Sequence, residues 1–136
     1  MSFAYVVETC LMACTASTWC VDTGATNHVC NSLQEFQKTR RLANGENLWL
    51  GDTLRVMAVA VGVVSLLFPG GKLLVLNDCL YVPNVRRNLI SIFCLSCNGY
   101  STIFNKNMVS IKCNADDIYN GILVDNLYRT YITYTS

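Results

Sequence analysis

Short apolar runs broken by Asn, Asp and Gly recur along most of this chain, a pattern of strands more than of long helices. "ENLWLG" (Glu46 to Gly51) and the Val-rich "VMAVAVGVVSLLF" (Val56 to Phe68) read as strands, with Gly62 as a break point in the second. "FPGGK" (Phe68 to Lys72) is a strong turn signal between two apolar runs and predicts a hairpin, with "LLVLNDCLYV" (Leu73 to Val82) resuming the sheet. Near the end, "YSTIF", "MVSIKC", "GILVDN" and "LYRTYIT" are four more strand-like runs. Two segments predict short helices. "NSLQEFQK" (Asn31 to Lys38) opens on a capping residue and spaces Leu33 and Phe36 three apart. "NLISIFCLSC" (Asn88 to Cys97) puts Leu89, Ile92, Phe93 and Cys97 on one face, with Gly99 placed to end it. The first sixteen residues show no clear pattern. Strands this many and this close predict an all-β fold, a small barrel or folded sheet, rather than alternating β/α units.

Composition sharpens this picture. At 136 residues the chain has room for one domain with a substantial core. Hydrophobic residues are 52% of it and charged residues 14%, which argues against disorder and for dense burial or self-association. A formal net charge of +1 gives no general basic field for nucleic acid or an anionic membrane. The one tight basic run, Lys38, Arg40 and Arg41, reads as a solvated loop. The Val-rich run falls short of the roughly 20 residues a membrane span needs. Glu8 interrupts an apolar N-terminus that lacks a basic leader, a poor signal peptide, so the eight cysteines are expected as reduced thiols in the cytoplasm. "CLSC" at Cys94 and Cys97 is a single Cys-x-x-Cys without a second pair, a weak metal signal. Small buried hydrophobes are the default role for such thiols.

The densest chemistry lies in "WCVDTGATNHVC", Trp19 to Cys30. An apolar strand running into a tight turn would present the Asp22 carboxylate at its end. Gly24 gives conformational freedom and close approach, while Thr23 and Thr26 can bond the turn. Three readings are open: a catalytic carboxylate, a metal site with His28, Cys20 and Cys30, or a turn aspartate holding backbone amides. Three ligands in one short strand-turn rarely converge tetrahedrally, which favours a hydrogen-bonded structural histidine over zinc. One carboxylate, with a reference pKa of about 3.9, is a poor catalyst near neutrality. Two of them about 3 Å apart share one proton, so one can act as base and the other as acid. The chain has no second Asp-Thr-Gly or Asp-Ser-Gly. A dyad therefore calls for a second copy, with the two Asp22 side chains meeting at a two-fold axis.

Three ordered blocks carry a family resemblance. "WCVDTGATNH" (Trp19 to His28) resembles the W-x-x-D-[ST]-G-A-[ST]-x-H pattern of copia-type LTR-retrotransposon proteases, a divergent branch of the retropepsin aspartic peptidases. "LNDCLYVPNVRRNLISIFCLSCNGY" (Leu76 to Tyr100) and "NGILVDNLYRTYI" resemble that family's later blocks. The resemblance spans about residues 17–132, leaving 1–16 as an N-terminal extension and 133–136 as a tail. It implies a small closed retropepsin-like barrel with one or two short helices and extra C-terminal strands. Asp22 would be the catalytic aspartate, one from each subunit of a homodimer. Thr23 would brace the paired loops, Gly24 and Ala25 would line the cleft with backbone groups, and Thr26 would follow them. Arg87 and Asn88 would match the start of a short helix behind the active site. A hairpin flap would lie within residues 42–56, with Gly45 or Gly51 near its tip. The implied substrate is a peptide of the element's own Gag-Pol-type polyprotein, and no cofactor or metal is implied. The implied setting is the cytoplasm, in virus-like particles.

Some positions depart from the retroviral pattern. Thr26 stands where an acid usually pairs with the helix arginine, Arg86 replaces the usual glycine, and Ala60-Val61-Gly62 replaces a Gly-x-Gly. About thirty-five residues follow the second helical segment, where retroviral proteases have only a short dimerising strand. These changes motivate a second reading, a catalytically silent β-barrel acting as a binding or assembly module.

Overall fold

The computed structural model describes residues 16–50, 54–68, 71–113, 118–124 and 127–134. The strands are β1 (Ala16–Asp22), β2 (Val29–Cys30), β3 (Phe36–Leu50), β4 (Leu54–Phe68), β5 (Lys72–Tyr81), β6 (Asn88–Ser91), β7 (Ser101–Phe104), β8 (Met108–Lys112), β9 (Ile118–Val124) and β10 (Leu127–Tyr134). One short helix, α1 (Ile92–Cys97), lies between β6 and β7. Residues 1–15 of the expected N-terminal extension fall outside the described residues, and Ala16 already belongs to β1. β10 runs on to Tyr134, past the expected end of the domain.

The chain is β-rich, as the sequence predicts, but among the described residues no sheet is closed into the expected barrel. The described strands make one sheet in the order β3-β4-β5-β2-β6-β1-β10-β9-β8-β7. It curls far enough for β10 to meet β4 at Thr133–Leu67 and Tyr134–Leu66. The strands after α1 extend away from β1 as an antiparallel ladder, β10 to β9 to β8 to β7. β7 therefore ends the sheet on the opposite side of β1 from β3.

β3 and β4 form a long antiparallel hairpin. The Val-rich run is one uninterrupted strand, and Gly62 does not break it. A methyl group at Gly62 would run into the Lys38 carbonyl, so glycine is there to let β3 and β4 approach. Lys38, Arg40 and Arg41 are exposed as expected, but on strand β3 rather than in a loop. The "FPGGK" turn forms: the Gly71 N–H donates to the Phe68 carbonyl at 3.1 Å, and Gly71 has φ +85°. β4 then pairs with β5 from Phe68–Lys72 onward.

Both helix predictions need correction. Within residues 31–38 only a single 3-10 turn forms, at Leu33–Glu35, and β3 begins at Phe36. Phe36 pairs with Val64, and its ring meets Tyr81 edge-on at 6.0 Å. The Ser65 hydroxyl donates to Gln37 Oε1 at 2.8 Å. These contacts come from β4 and β5, and they override a weak local helical spacing. In the second segment residues 88–91 are strand, all four buried, because β6 is flanked by β1 and β2. The helix starts only at Ile92. Its end is as predicted: Gly99 sits at φ +89°, the Tyr100 N–H donates to the Leu95 carbonyl, and the Gly99 N–H donates to the Ser96 carbonyl. That is a Schellman closure, with Tyr100 packed on the core beside Leu95.

Buried side chains form two clusters. One gathers Trp19, Leu66, Leu74, Leu76, Ile90 and Leu95. The other gathers Cys20, Ala25, Val29, Ala58, Val82 and Leu89. Each large side chain removed from water stabilises the fold by roughly 1.5–3 kcal/mol. Cys20, Cys30 and Cys79 are buried within them, whereas Cys97 and Cys113 are exposed. Burial pushes the Cys30 thiol up to about 11 and the Cys79 thiol well above its ordinary value, so both are poor nucleophiles.

Candidate active site

The polar residues of "DTGATNH" are set by what flanks β1. Six consecutive residues of β1, Ala16 to Val21, pair with β10, and Trp19 to Asp22 pair in parallel with Asn88 to Ser91 of β6. A strand held on both edges has little freedom, and its end is a firm place for a carboxylate. Exposure then switches residue by residue: Val21 is buried, Asp22 half-buried, Thr23 and Gly24 exposed, Ala25 buried. The Gly24 N–H donates to Asp22 Oδ1 at 2.7 Å. Gly24 does not use a glycine-only backbone conformation; Gly45, Gly71 and Gly99 are the described glycines at positive φ.

Behind the loop lies a buried polar buttress. Ser91, wholly buried, donates from Oγ to the Ala25 carbonyl at 2.7 Å and accepts from the Cys94 N–H at 3.1 Å. It thus caps α1 and holds the loop with one hydroxyl. The Ser91 N–H donates to Nδ1 of His28 at 2.9 Å. His28 is 1% exposed, and burial lowers its pKa to about 4. Its Nδ1 accepts, so the ring is neutral with the proton on Nε2. The Cys94 thiol donates to the Thr26 carbonyl at 3.2 Å, and the Thr26 hydroxyl donates to Asn27 Oδ1 at 3.0 Å. The histidine is thus a hydrogen-bonded structural residue. Among the described residues, no cluster of three His, Cys, Asp or Glu side chains is placed to hold a metal ion.

The other predicted positions fall as follows. Asn88 opens β6, four residues before the helix, and is buried; its Oδ1 accepts from the Asn31 N–H at 2.9 Å. Asn31 in turn donates from Nδ2 to the Val85 carbonyl at 3.0 Å. Arg87 is exposed and lines a pocket of about 300 Å³ together with Asp22, Thr23, Leu89, Phe104 and Leu127. Of the expected flap, residues 42–50 lie on β3 and residues 54–56 on β4, at the distal end of their antiparallel pairing, while residues 51–53 lie outside the described residues. Gly45 is not at a tip but on β3, at φ +70°, where the pairing with β4 shifts register between Arg41 and Glu46. Gly51 lies outside the described residues. Leu42, Val56 and Ala58 of the hairpin pack in the same cluster as Ala25, so hairpin and loop share a core.

Sequence reasoning missed Ser91, Cys94, Phe104 and Leu127. A signal for Ser91 was present: a serine immediately before an apolar run is a helix N-cap. Starting the helix at Asn88 obscured it. Phe104 and Leu127 carried no local signal, because only the fold of β7 and β10 brings them beside Asp22.

Residues 19–100 match the family model described as "Pol polyprotein, beta-barrel domain". The chain is 32% identical over 83 residues, 61% of its length, to a "Retrovirus-related Pol polyprotein from transposon RE2" of Arabidopsis thaliana. It is 30% identical over 108 residues, 79% of its length, to the corresponding polyprotein from transposon RE1 of the same plant. Against that from transposon TNT 1-94 of Nicotiana tabacum it is 30% identical over 116 residues, 84% of its length. The matched stretches cover only 6%, 7% and 8% of those three relatives. No solved structure matches the chain.

Proposed function

The chain belongs to the Pol polyprotein β-barrel domain family, and from that premise we propose that it is the aspartic endopeptidase domain of a retrotransposon polyprotein, active as a homodimer. The observation that carries this reading is the seating of Asp22. A strand pinned on both edges ends in a half-exposed carboxylate at a pocket, on a loop whose Ala25 carbonyl is held from behind by the buried Ser91 hydroxyl. A turn aspartate needs only the Gly24 N–H; it needs neither the pocket nor the buttress.

The chemistry follows from two such loops. Paired Asp22 carboxyls share one proton. The ionised one takes a proton from water as the water oxygen attacks the peptide carbonyl carbon, and the protonated one donates to the carbonyl oxygen. The tetrahedral diol then collapses: one diol hydroxyl gives its proton to the ionised carboxylate, the nitrogen takes a proton from the protonated one, and the C–N bond breaks without a covalent enzyme intermediate. This cycle restores the single shared proton and calls on no metal or cofactor. The substrate would be an extended segment of the same polyprotein, laid along the β3–β4 hairpin as an added strand with apolar side chains in pockets. The reaction would take place in the cytoplasm, within assembling particles.

Arg87 favours the rival reading, a silent binding or assembly module. It is exposed, with Thr26 where a partner acid would stand in a retroviral protease. Cleavage of polyprotein-derived peptides at mildly acidic pH, read by mass spectrometry of the fragments, separates the two. The peptidase reading expects cleavage by the wild-type chain and none by Asp22→Asn. Equal product from both proteins would remove it.

A further inference from the structure

Cys94 and Cys97, the pair in "CLSC", take no part in the chemistry at Asp22, yet one of them touches its loop. The Cys94 thiol, half-buried, donates to the Thr26 carbonyl at 3.2 Å. Cys97 is exposed and is the last residue of α1, about one turn further along. Helix geometry puts Cα atoms three residues apart at about 5 Å, inside the roughly 4.4–6.8 Å that a disulfide spans. Their Cβ atoms, about 5–6 Å apart on such a face, must close to roughly 3.5–4.5 Å. The end of α1 is built to give that movement. The Asn98 N–H is shared between the carbonyls of Cys94 and Leu95, at 3.1 and 3.0 Å, and the Gly99 N–H bonds three residues back to Ser96. The last turn is thus already tightening toward 3-10 geometry.

We propose that Cys94 and Cys97 are a redox modification site, joined reversibly by a small-molecule disulfide such as glutathione disulfide, and that the bridge loosens the Asp22 loop. The exposed Cys97 thiolate attacks one sulfur of the small disulfide, forms a mixed disulfide and expels one thiolate. Cys94 then gives up its proton, attacks the Cys97 sulfur and expels the second thiolate. The two protein thiols lose two electrons and two protons, and the small disulfide leaves as two thiols. A bridged Cys94 sulfur carries no hydrogen, so it cannot donate and the Thr26 carbonyl loses its partner on α1. The Ser91 hydroxyl still holds the Ala25 carbonyl, so the loop slackens without detaching. Cys79 is the other thiol that feels a charge on Cys94, but it is wholly buried and burial keeps it protonated, which leaves Cys97 as the resolving partner. A bridge that must pull its ends together is easily reduced, so in a reducing compartment the pair rests as two thiols.

Mass spectrometry with hydrogen exchange on the full chain tests this. Trypsin cuts after Arg87 and Lys106, so both thiols fall in the peptide 88–106, which holds no other cysteine. After incubation of the folded chain with glutathione disulfide, that peptide should be lighter by about 2 Da, the two hydrogens lost, and dithiothreitol should restore its mass. Amide exchange in residues 19–30 should speed at least about threefold in the oxidised chain. Cys94→Ser keeps a donor for Thr26; it should carry glutathione on Cys97, show no 2 Da loss, and keep the exchange of the reduced wild type. If Cys94→Ser fails to fold, Cys97→Ser, at an exposed position, replaces it as the variant that cannot bridge. An unshifted wild-type peptide, a bridge from Cys94 to any other cysteine, or a bridge that leaves loop exchange unchanged would each overturn the proposal. Neither readout needs cleavage, so the outcome is independent of the peptidase reading.

Discussion

The two sides of the Asp22 loop are built on opposite principles. The rear is closed: Ser91 and His28 are buried, and one hydroxyl, one imidazole nitrogen and one thiol meet the backbone of the loop, of β6 and of α1. The front is open: Thr23 and Gly24 are exposed, Asp22 is half-exposed, and the pocket holds two side chains of opposite charge. Buried polar groups are costly when unpaired, so the rear tolerates almost no change. Exposed groups are cheap to leave unpaired, so the front is free to do chemistry. Rigidity behind and exposure ahead is what preorganises a carboxylate.

Substitutions on the rear side should break this contrast first. Ser91→Ala leaves the Ala25 carbonyl and the Cys94 N–H without their buried partner. A loss of about 2–4 kcal/mol is expected, measured by urea denaturation, since each buried orphan costs roughly 1–3 kcal/mol. By contrast, Asp22→Asn on the front should change stability by under about 0.5 kcal/mol while removing turnover. Similar stability losses for the two variants would erase the distinction.

Acid should act on the rear as well. The His28 pKa is lowered from 6.5 to about 4 by burial, so between those values the unfolded chain binds a proton that the folded chain refuses. The contribution of neutral His28 is therefore complete above pH 6.5 and is lost as pH falls toward 4. The largest loss is on the order of 3 kcal/mol. His28→Gln keeps an acceptor for the Ser91 N–H without titrating in that range. Its stability should be flatter between pH 6.5 and 4, and parallel curves for the two proteins would contradict the assignment. The window matters because a carboxylate dyad also works in mild acid, so His28 would set the acid limit of the fold near the working range of the site. Among the rear-side substitutions the smallest effect is expected at Cys94, where Cys94→Ser retains a donor to Thr26. Its stability should stay within about 0.5 kcal/mol of wild type, while Cys94→Ala should lose about 0.5–1 kcal/mol.

The front of the site was far more legible in the sequence than the rear. Asp22, Thr23 and Gly24 sit together in seven residues, so their meeting needs no knowledge of the fold. His28 and Ser91 are 63 positions apart and meet because β2, which His28 precedes, pairs antiparallel with β6 at Val29–Leu89. Local signals found the Gly71 turn and the Gly99 helix end, where one residue's backbone conformation decides the outcome. They failed at residues 31–38 and 88–91, where pairing with distant strands overrode helical spacing. Nor could they say how the sheet would curl until β10 meets β4, since that depends on where β7 to β10 travel after α1.

The central claim is that two Asp22 side chains, one from each chain, make one catalytic unit. Mixing wild-type protein with Asp22→Asn at constant total concentration, after subunits have exchanged, tests it most directly. If only wild-type pairs cleave, the rate follows the square of the wild-type fraction and falls to about one quarter in an equal mixture. A linear fall, to about one half, would mean that a single Asp22 suffices and would contradict the account.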